Sequence, residues 1–299
     1  MRLATSINLV SFNKETGKRI ACIESIRRCA AVGFRVFDMN FAPLLDEDYI
    51  LKSDDWEKKI YELANEAAKI GVEFSQSHAP FHDAFYDPRT DDPELYNLFE
   101  EAVRRSFYAS KILGVKWITM HCFTDIANNC EVEASKKLNY YYFAKHLELA
   151  KKLGVGIALE NMADLANPLL IRRFFATYEE IVDFVDSFND PSIGVCWDFG
   201  HANRMKYKNQ EVALRYIGKR LKSTHVNDNI GATDMHTAPF LGNINWEPIM
   251  KALSDIGYEG DFTYEIHGFT NGMPDVLKDS AIKLAFDIGQ YLVGLSYKN

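Results

Sequence analysis

The residues with the most chemistry in this sequence stand at the ends of short apolar runs. His78 closes S-Q-S-H, His121 closes T-M-H, Glu160 closes I-A-L-E, Asp198 closes V-C-W-D, His225 closes S-T-H and Glu265 closes F-T-Y-E. His201 follows three residues after Asp198, in D-F-G-H. A buried run should not end in an unpaired charge, because burying one costs several kcal/mol. One such ending is commonplace, since a lone histidine is usually a hydrogen-bonded rim residue and a lone carboxylate caps a helix or meets a lysine. A succession of them predicts that the run ends converge on one place. Seven of the eight histidines, His82 and His267 among them, lie at or just beyond a run's end; His146, inside a helical pattern, is the exception. Glu160, Asp198, His225 and Glu265 together make three carboxylates and one imidazole. Such an oxygen-rich set suits Mn²⁺ or Mg²⁺, and further imidazoles move the preference toward Zn²⁺ or Co²⁺.

The elements that must position these groups repeat along the chain. Eight short runs, at 3–8, 34–40, 73–78, 117–121, 156–160, 193–198, 221–225 and 262–265, read as strands buried on both faces. Helical patterns separate them. Thr177 with Glu180 has capping-box spacing, and Asp92 before Pro93 reads as a helix start. Gly71, Gly114 and Gly154 stand where a helix ends, each just ahead of the next strand. The unit recurs about every 37 residues, as a βα module would. No G-x-G-x-x-G follows the first strand, so an open dinucleotide-binding sheet has no support. The reading is α/β: a (β/α)8 TIM barrel, one domain over 1–299. In that fold the strand ends meet at one mouth, where active sites are built. The long stretches 82–92, 162–176 and 229–245 follow strand ends and would cover it.

Composition narrows the partners. The chain has 299 residues, 47% hydrophobic and 25% charged, with a net charge of −8. The acid surplus disfavours nucleic acid and anionic membrane. No stretch has the roughly 20 apolar residues of a membrane helix, and no leader pattern opens the sequence. Five scattered cysteines without C-x-x-C predict reduced thiols and a cytoplasmic protein.

With these motifs in place, the chain resembles the xylose isomerase-like TIM barrel superfamily, which holds sugar and sugar-phosphate isomerases and epimerases, inosose dehydratases and apurinic-site endonucleases. The motifs are L-E-N at 159–161, D-x-x-H at 198–201, H-x-x-D at 225–228, D-x-H at 234–236, P-F-L-G-N-I-N-W at 239–246 and Glu265. The resemblance to the ketose 3-epimerase branch implies one divalent ion on Glu160, Asp198, His225 and Glu265. It implies that Glu160 and Glu265 serve as acid and base on opposite faces of a sugar or polyol, phosphorylated or not, around a metal-stabilised enediolate. His201 is then expected to touch substrate oxygens, with His78, His121, Asp228 and His236 as further substrate-binding residues. A homo-oligomer is compatible with this class. A lyase that expels a neighbouring hydroxyl is the first alternative. The endonuclease branch holds three zinc ions on nine ligands, for which this sequence offers His78, His121, Glu160, Asp198, His201, His225, Asp234, His236 and Glu265. Against that branch, the stretch after His121 reads C-F-T-D-I-A-N-N without Pro-Gly, and basic residues do not crowd the loops.

Smaller signals complete the reading. Arg172 and Arg173 are candidates for a substrate phosphate, although such a pair is more often solvated or salt-bridged. Phe41, Phe81, Phe199 and Trp246 are candidate aromatic walls for a sugar, although ordinary packing explains each of them better. Asn161 and His267 are expected to orient Glu160 and Glu265, and Asp228 to anchor His225 or a substrate hydroxyl. The run 14–19 reads as a solvated loop.

Overall fold

A computed structural model describes residues 1–44, 49–81, 92–163, 172–205 and 209–296. Each apolar run forms a parallel strand: β1 (Leu3–Ser6), β2 (Val36–Asn40), β3 (Glu73–His78), β4 (Trp117–Met120), β5 (Gly156–Glu160), β6 (Ile193–Asp198), β7 (Leu221–His225) and β8 (Phe262–Tyr264). The sheet runs β8-β1-β2-β3-β4-β5-β6-β7. A parallel bridge between Val226 and Tyr264 closes the ring, with the Val226 amide donating to Thr263 (2.8 Å) and the Glu265 amide donating to Val226 (3.0 Å). The fold is a TIM barrel.

Around it lie α1 (Cys22–Val32), α2 (Trp56–Ile70), α3 (Pro93–Leu113), α4 (Val132–Leu153), α5 (Tyr178–Asp186), α6 (Phe199–Arg204), α7 (Gln210–Ile217), α8 (Trp246–Asp255), α9 (His267–Asn271) and α10 (Asp275–Leu295). The local signals act as their chemistry requires. The Thr177 hydroxyl accepts from the Glu180 amide at 3.3 Å, and Asp92 accepts from the Leu95 amide at 3.0 Å. Gly71, Gly114 and Gly154 are left-handed C-caps.

Strand bounds differ from expectation where a cap competes with the sheet. β1 stops at Ser6 rather than residue 8, because the Ser6 hydroxyl accepts from the Asn8 amide and opens a 3-10 turn. β2 starts at Val36 rather than 34, because the Phe34 amide is spent on the C-terminus of α1, at Cys29. The run 14–19, read as a loop, is the exposed turn of a two-strand hairpin, Phe12–Asn13 with Lys18–Arg19. Lys278 pins that hairpin by donating to the Phe12 carbonyl.

Period-2 alternation puts Gly156, Ala158 and Glu160 of β5 on one face and Ile157 and Leu159 on the other. Glycine at 156 is a steric need: a Cβ there would lie 2.2 Å from the Trp117 ring. The apolar core fills the layer between sheet and helices, with Phe107, Phe143, Phe184, Trp197 and Ile282 fully buried. All five cysteines are free. Among the described residues, no helix is long and apolar enough to cross a membrane.

Candidate metal centre

The strand ends do converge. Glu160, Asp198, His225 and Glu265 each present one ligand atom, and the four atoms lie within 4.8 Å of one another. They come from the ends of β5, β6 and β7 and from the residue after β8, and all are buried. The D-F-G-H turn also places Asp198 as the N-cap of α6, accepting from the His201 amide at 2.6 Å. Its other oxygen accepts from Asn227 at 2.8 Å. Gly200 makes room for that contact, since a Cβ there would lie 1.8 Å from the Asn227 amide oxygen.

A second group overlaps the first through Glu160. His121 Nε2 is 3.0 Å and His78 Nε2 is 3.3 Å from Glu160 Oε2, and the two imidazole nitrogens are 3.1 Å apart. At the rim, Asp234 Oδ2 lies 3.5 Å from His201 Nε2 and 3.2 Å from His236 Nε2. His236 Nδ1 lies 3.5 Å from Glu265 Oε2 and 2.8 Å from the Glu265 carbonyl. All nine residues picked out of the sequence for a multinuclear site therefore share one mouth.

The protonation pattern is that of acids and imidazoles forced together. Burial opposes ionisation of Glu160, yet His225 and His121 hold its carboxyl well below the usual range. Burial likewise opposes charge on Glu265, and His225 and His236 bring it down. Burial lifts Asp198 to about 6 against the pull of His201. His225 and His201 are held well above an ordinary imidazole: burial works against both, Cys196 with Glu265 and Glu160 raises His225, and Asp198, Asp234 and Glu160 raise His201. His121 goes the other way, with burial taking it down to about 4.

The arrangement fits a cation. His225 Nδ1 is buried and has no hydrogen-bond partner, although Glu160 Oε1 is 3.2 Å and Glu265 Oε2 3.6 Å away. With His225 neutral, as a metal-bound imidazole is, its Nδ1 and the two carboxylate oxygens would offer three lone pairs to one cation.

Several expected roles change. Asp228 anchors a loop instead of reaching substrate. Its Oδ1 accepts from the Asn229 (2.8 Å) and Ile244 (3.2 Å) amides, and its Oδ2 from the Phe240 amide and Trp246 Nε1 (both 3.0 Å). Both oxygens are thus committed to holding the 229–245 stretch. Phe41, Phe199 and Trp246 are packed in the core. Phe81 alone of the four aromatic candidates stands at the mouth, with its ring 4.4 Å from that of His121. Arg172 is engaged by Glu180, as the salt-bridged reading has it, while Arg173 is buried. Asn161 ties β5 to β6 through both backbone groups of Asp198, at 2.6 and 3.0 Å. His267 stacks on His236 with ring centroids 4.1 Å apart. His82, with most of the 82–92 stretch and residues 164–171, lies outside the described residues.

One neighbour of the site was not singled out from the sequence. Asp38, in the middle of β2, places Oδ2 3.5 Å from His225 Nε2. The signal was there, an acid inside the buried run V-F-D-M-N, but its partner is far away along the chain.

The xylose isomerase-like TIM barrel family matches residues 26–284. The chain belongs to that family. An uncharacterised protein of Methanocaldococcus jannaschii is 28% identical over 191 residues, which take in 63% of this chain and 62% of that relative's length. A D-psicose 3-epimerase of Enterocloster bolteae is 23% identical over 244 residues, 78% of this chain and 72% of that protein. Among solved structures, D-psicose 3-epimerase from Clostridium cellulolyticum, determined with D-tagatose, superposes with a TM-score of 0.76 at 18% identity, covering 98% of this chain and 99% of that one. The IolI protein with a bound zinc atom does so with a TM-score of 0.75 at 18% identity over the whole of both chains. At these identities the two structures speak for the shared barrel.

Proposed function

We propose that this protein is a divalent-metal-dependent sugar or sugar-phosphate isomerase or epimerase. The observation that carries the reading is the convergence of Glu160, Asp198, His225 and Glu265 within 4.8 Å, two of them glutamates from strand ends three places apart in the ring. The kinship with D-psicose 3-epimerase supports the same class of substrate. Glu160, Asp198, His225 and Glu265 would hold the ion, and when bound it supplies a Lewis acid that acidifies the C–H bond beside a substrate carbonyl.

The chain's own groups do the rest. One of Glu160 and Glu265, ionised, would take a proton from carbon. The other, protonated, returns one. Return to the opposite face of the same carbon inverts it; return to the neighbouring carbon moves the carbonyl. His201, with Nδ1 3.3 Å from Glu160 Oε1, and His236 stand at the rim to bind and orient hydroxyls. Burial of the pair keeps bulk water off the carbanionic carbon.

The test is a ketose and polyol panel, free and phosphorylated, run in D2O with Mn²⁺, Mg²⁺ and Co²⁺. Metal-dependent deuterium incorporation at a sugar carbon is expected. A dehydrated product would instead make the protein a lyase. A second reading, a phosphodiesterase, is favoured by the gathering of all nine candidate ligands at the mouth. Three zinc ions per chain together with cleavage of an abasic-site duplex would establish it. The net charge of −8 speaks against a DNA-gripping surface.

A further inference from the structure

We propose that Asp38 and Gln76 are positioning residues that fix the tautomer and aim of His225. The inference rests on His225 being a metal ligand. Asp38 is 2% exposed, and a buried carboxylate needs compensation. It has little: Gln76 Nε2 donates to Oδ2 at 2.6 Å, and Oδ1 has no hydrogen-bond partner. Oδ2 also lies 3.5 Å from His225 Nε2. A neutral imidazole carries one proton. With the carboxylate facing Nε2, that proton belongs on Nε2, which leaves the Nδ1 lone pair turned toward Glu160 and Glu265.

Gln76 fixes the carboxylate in turn. Its amide nitrogen bonds Asp38 and lies 3.5 Å from the Thr224 carbonyl, and its oxygen accepts from Thr263 at 3.1 Å. The chain Thr263–Gln76–Asp38–His225 draws on β8, β3, β2 and β7, so it crosses the barrel interior directly below the candidate centre. Thr263 and Gln76 are themselves buried, which leaves the amide few other orientations. The polarity of Gln76 is decided by this network: its nitrogen must face the acid and its oxygen the hydroxyl.

The experiment measures Mn²⁺ and Zn²⁺ affinity by chelator competition for the wild type, Asp38→Asn, Gln76→Leu, His225→Ala and Asp38→Asn/His225→Ala, with the thermal midpoint of each metal-free protein. Asp38→Asn is expected to weaken binding about 10- to 100-fold, and Gln76→Leu less. In the His225→Ala background Asp38→Asn should change affinity no further, a non-additivity that a merely structural role would not produce. If wild type binds metal and His225→Ala weakens it while Asp38→Asn and Gln76→Leu bind like wild type, the positioning role is overturned and the metal reading stands. The role is equally overturned if Asp38→Asn weakens binding as strongly with His225 absent. If His225→Ala binds metal like wild type, the ligand assignment fails and the inference with it. Gln76→Leu keeps the test open should Asp38→Asn not fold.

Discussion

His225 and His201 at the barrel mouth and His146 between α3 and α4 are all buried or nearly so, and their surroundings act on them in opposite ways. His225 and His201 at the mouth have carboxylate oxygens at 3.2–3.8 Å on more than one side. They hold a proton far more readily than a free imidazole, although burial works against it. His146 sits between the Phe107 and Tyr142 rings, and the carboxylate nearest to it, Glu100, is 3.8 Å away. Burial dominates there and takes it down to about 3. Depth alone therefore does not set the state of a histidine; the charged groups around it weigh against burial. The mouth concentrates acids that a lone imidazole neither needs nor neutralises, and that excess is what a divalent ion would answer.

The sharpest way to break the contrast is at the acids. Glu265→Gln, or Glu160→Gln, keeps shape and removes a proton carrier, so kcat on an established substrate should fall about 10²- to 10⁴-fold with the circular dichroism unchanged. Wild-type turnover in either variant would reduce the mouth to a polar rim.

The next effect belongs to His146. In the folded protein it stays neutral down to about 3, whereas an unfolded imidazole takes up a proton below about 6.5. The unfolded state binds more protons in that window, so the stability seen above pH 6.5 is progressively lost as the pH falls toward 3. Against wild type, His146→Leu should gain on the order of 3 kcal/mol between pH 7 and pH 4 from this source, read by urea unfolding at each pH. Parallel losses in the two proteins would mean that His146 is not held neutral by its surroundings.

Asp228→Ala tests a buried acid whose partners are all backbone or indole N–H groups. It should cost about 1–3 kcal/mol by leaving those donors unpaired, with a proteolytic cut appearing first in 229–245. An unchanged thermal midpoint would return Asp228 to the substrate. The smallest change is expected from Arg172→Ala. Its partly exposed pair with Glu180 is worth about 0–1 kcal/mol, and KM for phosphorylated sugars should not move. A large KM increase confined to those sugars would restore Arg172 as a phosphate ligand.

The contrast between Asp198 and Asp228 explains how much could be read in advance. Asp198, Glu160, His225 and Glu265 stood out because each ends a buried strand, where a charge has no local excuse. Asp228 carries the same residue type in the same kind of motif. Its role depends on donors at 240, 244 and 246, and a motif says nothing about where a loop will fold back. Phe41, Phe199 and Trp246 pack in the core, the role ordinary packing gives them, while Phe81 reaches the mouth; an aromatic after a strand end can point either way, and the sequence pattern is the same for both.

The sequence by itself determined the alternation of strand and helix, the glycine and threonine caps, and the set of acids and imidazoles at the strand ends. These depend on residues within a few positions of one another, where side-chain size, backbone freedom and local hydrogen bonds act alone. Only the tertiary structure decided which of those groups face one another, that Asp38 stands behind His225, and that Asp228 is spent on a loop. Closing the ring lets Asp38 of β2 face His225 of β7 across the barrel interior, and electrostatics at 3 Å depends on that neighbourhood and not on order along the backbone.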